Sequence, residues 1–317
     1  MRVAIPDNFP AFYTDDDPLL APLRERAEIA VFSTRHGGES ELIARMCGAT
    51  VAINVRAYSR FSAEVFAALP QLRFLTVMGT GTDNVDLIAA RQNNVVVSNT
   101  PAAPTVSVAE FTIGLMFAAA KNLQSMHRAL QSGRWEQKKG IELRGKTFGF
   151  VGLGLIAAEM APIIRALGMR TVGWSMTRDE SRAGRLGVEL LDFDDVLRQS
   201  DVLSLLLRAS PRSHHIIGAR ELGLMKRTAY LINTGRGSLV DEAALHAALA
   251  DHRIAGAALD VFETEPLPAG APLAALENII VTPHAAWVTD QGTSRMGRHP
   301  VENVLAFLDG KPRFVVN

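Results

Sequence analysis

The absences in this chain exclude several classes of function. Its single cysteine, Cys47, cannot close a disulfide within the chain. Nothing near it resembles a thiolate-activating or metal-binding cluster, so it reads as a core residue. Neither sign of charge is in excess, since Lys plus Arg and Asp plus Glu number 33 each. No net field therefore draws the chain to nucleic acid or to an anionic membrane surface, and no basic run stands out locally. Long apolar runs are missing too. The longest, Phe111 to Ala120 between Glu110 and Lys121, is about half the length that crosses a bilayer. The opening Met1-Arg-Val-Ala-Ile-Pro-Asp7 enters a strand-like run without the charged and apolar regions of a secretory signal, which makes cytoplasmic residence the expectation. With no internal repeat or low-complexity tract, what remains is a globular protein with a small-molecule partner.

At 317 residues and 48% apolar composition the chain has material for two packed domains. Short β-branched runs recur between alanine-rich stretches: Val3 to Pro6, Ile29 to Phe32, Val51 to Val55, Phe74 to Met78 and Val95 to Val97. Strands alternating with helical patterns predict parallel βαβ units. Two prolines in Asn99-Thr-Pro-Ala-Ala-Pro104 interrupt the pattern, and Val106 to Leu130 then reads as one long helix, apolar on nearly every face. A second series follows: Thr147 to Gly152, Thr171 to Trp174, Val202 to Leu207, Ala229 to Asn233, Ile254 to Leu259 and Ile279 to Thr282. The fold class is therefore α/β, with two doubly wound parallel sheets. The tail from Pro300 to Pro312 carries a helix ending at Gly310 and is expected to pack back on the first domain, making that domain discontinuous.

The second series opens with Val151-Gly152-Leu153-Gly154-Leu155-Ile156-Ala157, between an apolar strand and an alanine-rich helix. Gly152 allows a tight turn, Gly154 lets a pyrophosphate approach the backbone, and Ala157 is small enough for close helix–strand packing; the helix start supplies N–H donors. Such a glycine pattern is weak alone and gains weight from its strand–turn–helix setting. About twenty residues on, where NAD-binding chains place an acid for the ribose hydroxyls, this one has Trp174-Ser175-Met176-Thr177-Arg178. Ser175 and Thr177 suit a hydroxyl or a phosphate, and Arg178 suits a 2′-phosphate or is simply solvated. NAD and NADP both stay open.

Three polar residues then arrive in order, each after a strand-like run: Arg236 in Leu231-Ile-Asn-Thr-Gly-Arg-Gly-Ser238, Glu265 in Leu259-Asp-Val-Phe-Glu-Thr-Glu-Pro266, and His284 in Val281-Thr-Pro-His284. A guanidinium grips a carboxylate in a bidentate fork, an imidazole transfers a proton near neutral pH, and a neighbouring carboxylate fixes its tautomer and favours its cation. Together they suit reduction of a 2-keto acid. Each has a structural rival: an arginine pairing a helix end, a histidine after Thr-Pro with no chemical role, and at Asp260 a satisfied buried carboxylate. His214 and His215 lack a metal-like partner set and read as loop residues, and no metal site is expected.

These segments, the glycine turn and Gly79-Thr-Gly-Thr-Asp-Asn-Val-Asp86 resemble the D-isomer-specific 2-hydroxyacid dehydrogenases, among them phosphoglycerate dehydrogenases and glyoxylate/hydroxypyruvate reductases. The resemblance runs in order over nearly the whole chain. It implies a Rossmann-type NAD(P)-binding domain over residues 101–285, a flavodoxin-like substrate domain from 1–100 and 286–317, and a homodimer built on the nucleotide domains. Carried across by matching motif, Arg236 binds the substrate carboxylate and carbonyl oxygen, His284 is the acid/base and Glu265 its partner, while Thr80 and Gly81 offer backbone N–H groups. On the cofactor side the resemblance implies Thr80, Gly152, Gly154, Leu155 and Ile156, with the last two against the pyrophosphate. It also implies Ser175 at the ribose, Thr234 and Arg236 near the nicotinamide with His284, and Asp260 at its carboxamide.

Two departures stand out. Leu206-Leu-Arg208 replaces the His-x-Pro common at that strand end, and Ala285-Ala-Trp-Val288 replaces a glycine-rich stretch, so Trp287 is a candidate pocket wall. Arg56 and Arg60 are candidates for gripping a distal substrate group. The reading is an NAD(P)-dependent D-2-hydroxyacid dehydrogenase working as a 2-keto acid reductase. The alternative from another class is a dinucleotide-sensing, corepressor-like binding protein on the same fold.

Overall fold

The computed structural model describes residues 1–9, 11–14, 16–55 and 59–317; Arg56 lies outside them. The chain divides into two compact units, Met1–Pro104 with Thr289–Asn317, and Thr105–Val288.

In the first unit strands and helices alternate: β1 (Arg2–Ile5), α1 (Ala21–Arg24), β2 (Glu28–Val31), α2 (Glu39–Met46), β3 (Val51–Asn54), α3 (Ala63–Ala68), β4 (Phe74–Val77), α4 (Leu87–Gln92) and β5 (Val96–Asn99). The strands form one five-stranded parallel sheet, ordered β2-β1-β3-β4-β5. Strand runs this apolar are buried on both faces. Ala4, Ala52, Leu75 and Val97 face Leu42, Met46, Val65, Phe66 and Ala90 from α2, α3 and α4. Side-chain caps set the helix starts: Ser62 accepts from Val65 N–H and Asp86 from Ala89 N–H, each worth about 1 kcal/mol.

The second unit contains α5 (Thr105–Ala120), α6 (Leu123–Gln131), β6 (Thr147–Val151), α7 (Leu155–Ala166), β7 (Arg170–Trp174), α8 (Glu180–Leu186), β8 (Glu189–Leu190), α9 (Phe193–Gln199), β9 (Val202–Leu205), α10 (Ala219–Leu224), β10 (Tyr230–Asn233), α11 (Glu242–Ala250), β11 (Gly256–Leu259) and β12 (Ile279–Val281). Its seven strands are parallel, ordered β12-β11-β10-β9-β6-β7-β8. The strand direction of growth reverses between β6 and β9, the switch point at which such sheets bind ligands. Alternation along the strands separates two cores. Phe148, Phe150, Val202 and Ile232 pack on α5 and α7 through Ile113, Met116, Met160 and Ile164. Val151, Leu203, Leu231 and Leu259 pack on α9, α10 and α11 through Leu197, Leu222 and Leu245.

Several expectations are corrected. Cys47 is exposed rather than core: Met46 takes the inward position at the end of α2, and Cys47 is already its C-cap. The single helix expected over Val106 to Leu130 is two, α5 and α6, bent by 64°. Asn122 at the break has a φ of 52°, a left-handed conformation asparagine tolerates. The break is tied down by Lys121 donating to Ile141 O (2.7 Å) and Asn122 to Lys139 O (2.9 Å). No single described helix is long and apolar enough to cross a membrane. The short β8 was not anticipated.

The final helix, α12 (Asp290–Leu308), also starts earlier than expected. Thr289 caps it by accepting from Gly292 N–H (2.9 Å), and the buried Tyr13 hydroxyl donates to the Gly297 carbonyl (2.7 Å) in the turn before Pro300. It packs on the first unit's sheet, where Phe307 stacks on Phe74 at 4.5 Å and Asn303 donates to Asn99 O (2.9 Å).

Gly149 in β6 marks the tightest packing of the second sheet, because a Cβ there would lie 2.0 Å from Ser200 Oγ and 2.9 Å from Leu203 Cδ1. Gly149→Ala is expected to destabilise the protein by about 1–3 kcal/mol. Adding Ser200→Ala, which removes the nearest atom, is expected to recover part of the loss; thermal or urea unfolding of both variants checks the coupling.

Candidate active site

All strands of the second unit run the same way, so their carboxyl ends share one edge. That edge carries Gly152 after β6, Ser175 after β7, Arg208 after β9, Arg236 after β10, Asp260 and Glu265 after β11, and His284 after β12.

Around His284 the chain is shaped by one buried carboxylate. Asp260, 1% exposed, accepts from the Thr282 hydroxyl (2.6 Å), Ala285 N–H (2.8 Å) and Ala286 N–H (2.8 Å). The Asp260 carbonyl also accepts from His284 N–H (2.8 Å). This clamp bends the segment into a turn in which His284 has a φ of 51°, strained for a non-glycine residue and held by its surroundings. The imidazole Nδ1 is then 2.7 Å from Glu265 Oε2, while Glu265 Oε1 accepts from Phe262 N–H (3.0 Å). With Nδ1 committed, Nε2 is the ring nitrogen left for a reactant.

Burial pushes the Glu265 carboxyl up, but the His284 hydrogen bond and charge, the Phe262 amide and the Arg236 charge outweigh it, so it lies below its ordinary value. Glu265 therefore keeps its charge in acid that protonates a free glutamate. The stability this adds is present above the unfolded-state value and is lost as pH falls through the lower folded value.

Arg236 is held from behind. Asn233, 1% exposed, accepts from Gly235 N–H (3.0 Å) and donates to the Arg236 carbonyl (2.8 Å), and Arg236 Nη1 donates to Gly235 O (2.8 Å). Gly237 completes the arrangement. A Cβ there would be 1.9 Å from the Phe262 carbonyl carbon, so only glycine lets the Arg236 turn lie against the Phe262–Glu265 loop. Of the three side chains read from the sequence, His284 and Glu265 are thus paired and Arg236 is near enough for its charge to act on Glu265, all at one edge of the second unit.

The glycine turn fits a dinucleotide pyrophosphate. Gly152, with a φ of 111°, would press a Cβ to 3.0 Å of the Leu206 carbonyl, and its N–H donates to Trp174 O (2.8 Å). At Gly154 an added Cβ would meet nothing within 4 Å, so bare backbone faces open space. No side chain caps α7, whose first N–H groups, at Leu155 and Ile156, remain as anion donors. Ala157 is fully buried against the sheet.

The sequence matches the family model described as D-isomer specific 2-hydroxyacid dehydrogenase, NAD binding domain, over residues 113–286. It is 41% identical over 268 residues to a glyoxylate reductase from Aeropyrum pernix, covering 81% of this chain and 80% of that one. This chain belongs to the D-isomer-specific 2-hydroxyacid dehydrogenase family. It is an NAD(P)-dependent oxidoreductase acting on the CH–OH group of 2-hydroxy acids. Among solved structures it is similar to an acyclic imino acid reductase in complex with NADPH and D-Arg, with a TM-score of 0.90 and 27% identity over 100% of both chains. It is also similar to a D-lactate dehydrogenase from Aquifex aeolicus complexed with NAD and lactic acid, with a TM-score of 0.85 and 26% identity over 98% of this chain and 96% of that one.

The remaining expected site residues of this dehydrogenase have the following surroundings. The Thr234 hydroxyl is 2.8 Å from that of Thr112 on α5. Ser175 donates to Thr177 O (2.6 Å), within its own loop. Arg178 pairs with Glu180 (2.8 Å) and Asp192 (3.6 Å). Thr80 and Gly81 belong to the first unit, in the turn after β4, where Gly79 N–H donates to Thr100 Oγ1 (2.7 Å) and Asn99 Nδ2 to Thr80 O (2.7 Å). Trp287 is half-buried and Arg60 exposed. His215 pairs with Glu263 and stacks on His214, so the two glutamates of the Phe262–Glu265 loop serve different histidines.

Asn233 and Gly237 were not singled out by sequence, although Asn-Thr-Gly after an apolar strand is an Asx-turn signal that marks the first. Asp260→Asn replaces one acceptor oxygen of the clamp by a donor, against backbone N–H groups that need acceptors. Turnover is expected to fall by about 10²-fold through misplacement of His284. Steady-state kinetics checks this, and an unchanged kcat would remove the clamp from catalysis.

Proposed function

We propose that this dehydrogenase reduces a short 2-keto acid, of the size of glyoxylate or hydroxypyruvate, to the D-2-hydroxy acid. The observation that carries the reading is the His284–Glu265 pair, 2.7 Å apart, with Arg236 close enough for its charge to act on Glu265. Similarity to the glyoxylate reductase named above supports the substrate size.

When bound, the reduced nicotinamide supplies a hydride to the keto carbon. Arg236 holds the substrate carboxylate in a bidentate fork and stabilises the negative charge that develops on the carbonyl oxygen. His284 donates its Nε2 proton to that oxygen, and Glu265 stabilises the imidazolium before the transfer and holds its tautomer after it. In the oxidative direction His284 takes the hydroxyl proton. Gly152 and Gly154 would make room for the pyrophosphate, Leu155 and Ile156 would donate to it, and Ser175 would hold the ribose. Thr234 would stand beside the nicotinamide, and Asp260, which accepts three hydrogen bonds of about four possible, has capacity left for its carboxamide. The lone exposed thiol of Cys47 suits a reducing compartment such as the cytoplasm.

Oxidation of NADH and NADPH with glyoxylate, hydroxypyruvate and longer 2-keto acids tests the reading. Tight dinucleotide binding without turnover would favour the sensing protein instead. His284→Ala is expected to cut turnover by roughly 10²–10⁴-fold with dinucleotide binding intact. With Glu265→Gln the imidazolium loses its anionic partner, so the alkaline fall-off of keto-acid reduction is expected at lower pH. An unmoved profile would remove the coupling.

We propose a homodimer as well, built on the second unit. Leu123 and Leu130 of α6 and Trp135 beyond it are exposed, Trp135 by 82%, which is costly unless a partner covers them. Trp135→Glu is expected to shift the protein from dimer to monomer in light scattering, and a wild-type monomer would refute the assignment.

A further inference from the structure

One departure noted in the sequence remains without a role. Arg208 stands where the family commonly has the proline of His-x-Pro, just beyond β9. The preceding residue is already at the glycine turn, because a Cβ on Gly152 would lie 3.2 Å from Leu207 Cδ2 and 3.0 Å from the Leu206 carbonyl. Consecutive Cα atoms are only about 3.8 Å apart, so Arg208 sits at the rim of this turn, at the switch point between β6 and β9. Its side chain is exposed, and among the described residues its only hydrogen bond is through the backbone, its carbonyl accepting from Ser213 Oγ (2.8 Å).

The charges opposite are differently placed. On the far side of the glycine turn, the loop after β7 has no acid from Ser175 to Arg178. The acids that follow are committed, Asp179 as cap of α8, accepting from Arg182 N–H (2.8 Å), and Glu180 as partner of Arg178 (2.8 Å). Asp192 is 3.6 Å from Arg178. Arg178 is therefore largely neutralised by carboxylates, whereas Arg208 has none. A guanidinium without a partner at a nucleotide-binding rim favours an additional phosphate, and the missing acid removes the group that would hold a free ribose diol and repel that phosphate.

We propose that Arg208 binds the 2′-phosphate of NADP(H) and that this dehydrogenase selects NADP(H) over NAD(H). This rests on the oxidoreductase reading above and names its cofactor.

The test is direct binding, by calorimetry or nucleotide fluorescence, of NADPH and NADH to wild-type protein and to Arg208→Gln. Wild type is expected to bind NADPH at least roughly tenfold more tightly, a difference of about 1.4 kcal/mol. In Arg208→Gln, NADPH affinity is expected to drop by a similar factor while NADH affinity stays the same. Because the residue is exposed, the variant should fold, and its unchanged NADH binding reports that it has. Equal loss for both dinucleotides would make Arg208 a pyrophosphate contact and overturn the inference, as would equal wild-type affinities or no effect of the substitution. In those cases the oxidoreductase reading stands. Wild-type protein that binds neither dinucleotide would overturn both.

Discussion

The candidate site depends on a carboxylate that need not touch a substrate to matter. Asp260 is buried and collects three donors from the segment carrying His284, and its carbonyl takes a fourth from His284 itself. Burying a charge is costly unless it is hydrogen-bonded, and here the compensation comes from the Thr282 hydroxyl and from the Ala285 and Ala286 N–H groups just beyond β12. The same bonds hold His284 in a left-handed backbone conformation from which its ring meets Glu265. Stability and placement of the His284 ring are thus one interaction.

A second constraint is close backbone approach. Gly237 lets the Arg236 turn lie on the Phe262–Glu265 loop, and Gly152 lets the glycine turn lie on Leu206. Each glycine brings together chain ends separated by a strand, and any Cβ would part them. The turn carrying Arg236 and the loop carrying Glu265 are consequently set by packed backbone, the kind of support that pre-organised electrostatic catalysis requires.

The charged surroundings divide the edge into two halves. Around Glu265 the positive charges of His284 and Arg236 keep a carboxylate ionised beside the imidazole. Around the glycine turn Arg178 is balanced by Glu180 and Asp192, and Arg208 is not balanced. The first half suits a small anionic acid and the second suits a phosphate-bearing nucleotide.

Much of this was legible in the chain itself. β-branched runs between alanine-rich stretches have the periodicity of parallel sheets, and the order of the glycine turn, Arg236, Glu265 and His284 follows from where strands end; both are local properties that residue types carry. What only the tertiary structure decided are matters of which neighbour wins. Met46 and not Cys47 turns inward, Asn122 breaks a helix its apolar neighbours would have continued, and Asp260 serves the turn beside it. Each was undetermined along the sequence because several partners of the same chemistry were within reach, and the choice among them came from packing between segments far apart in the chain.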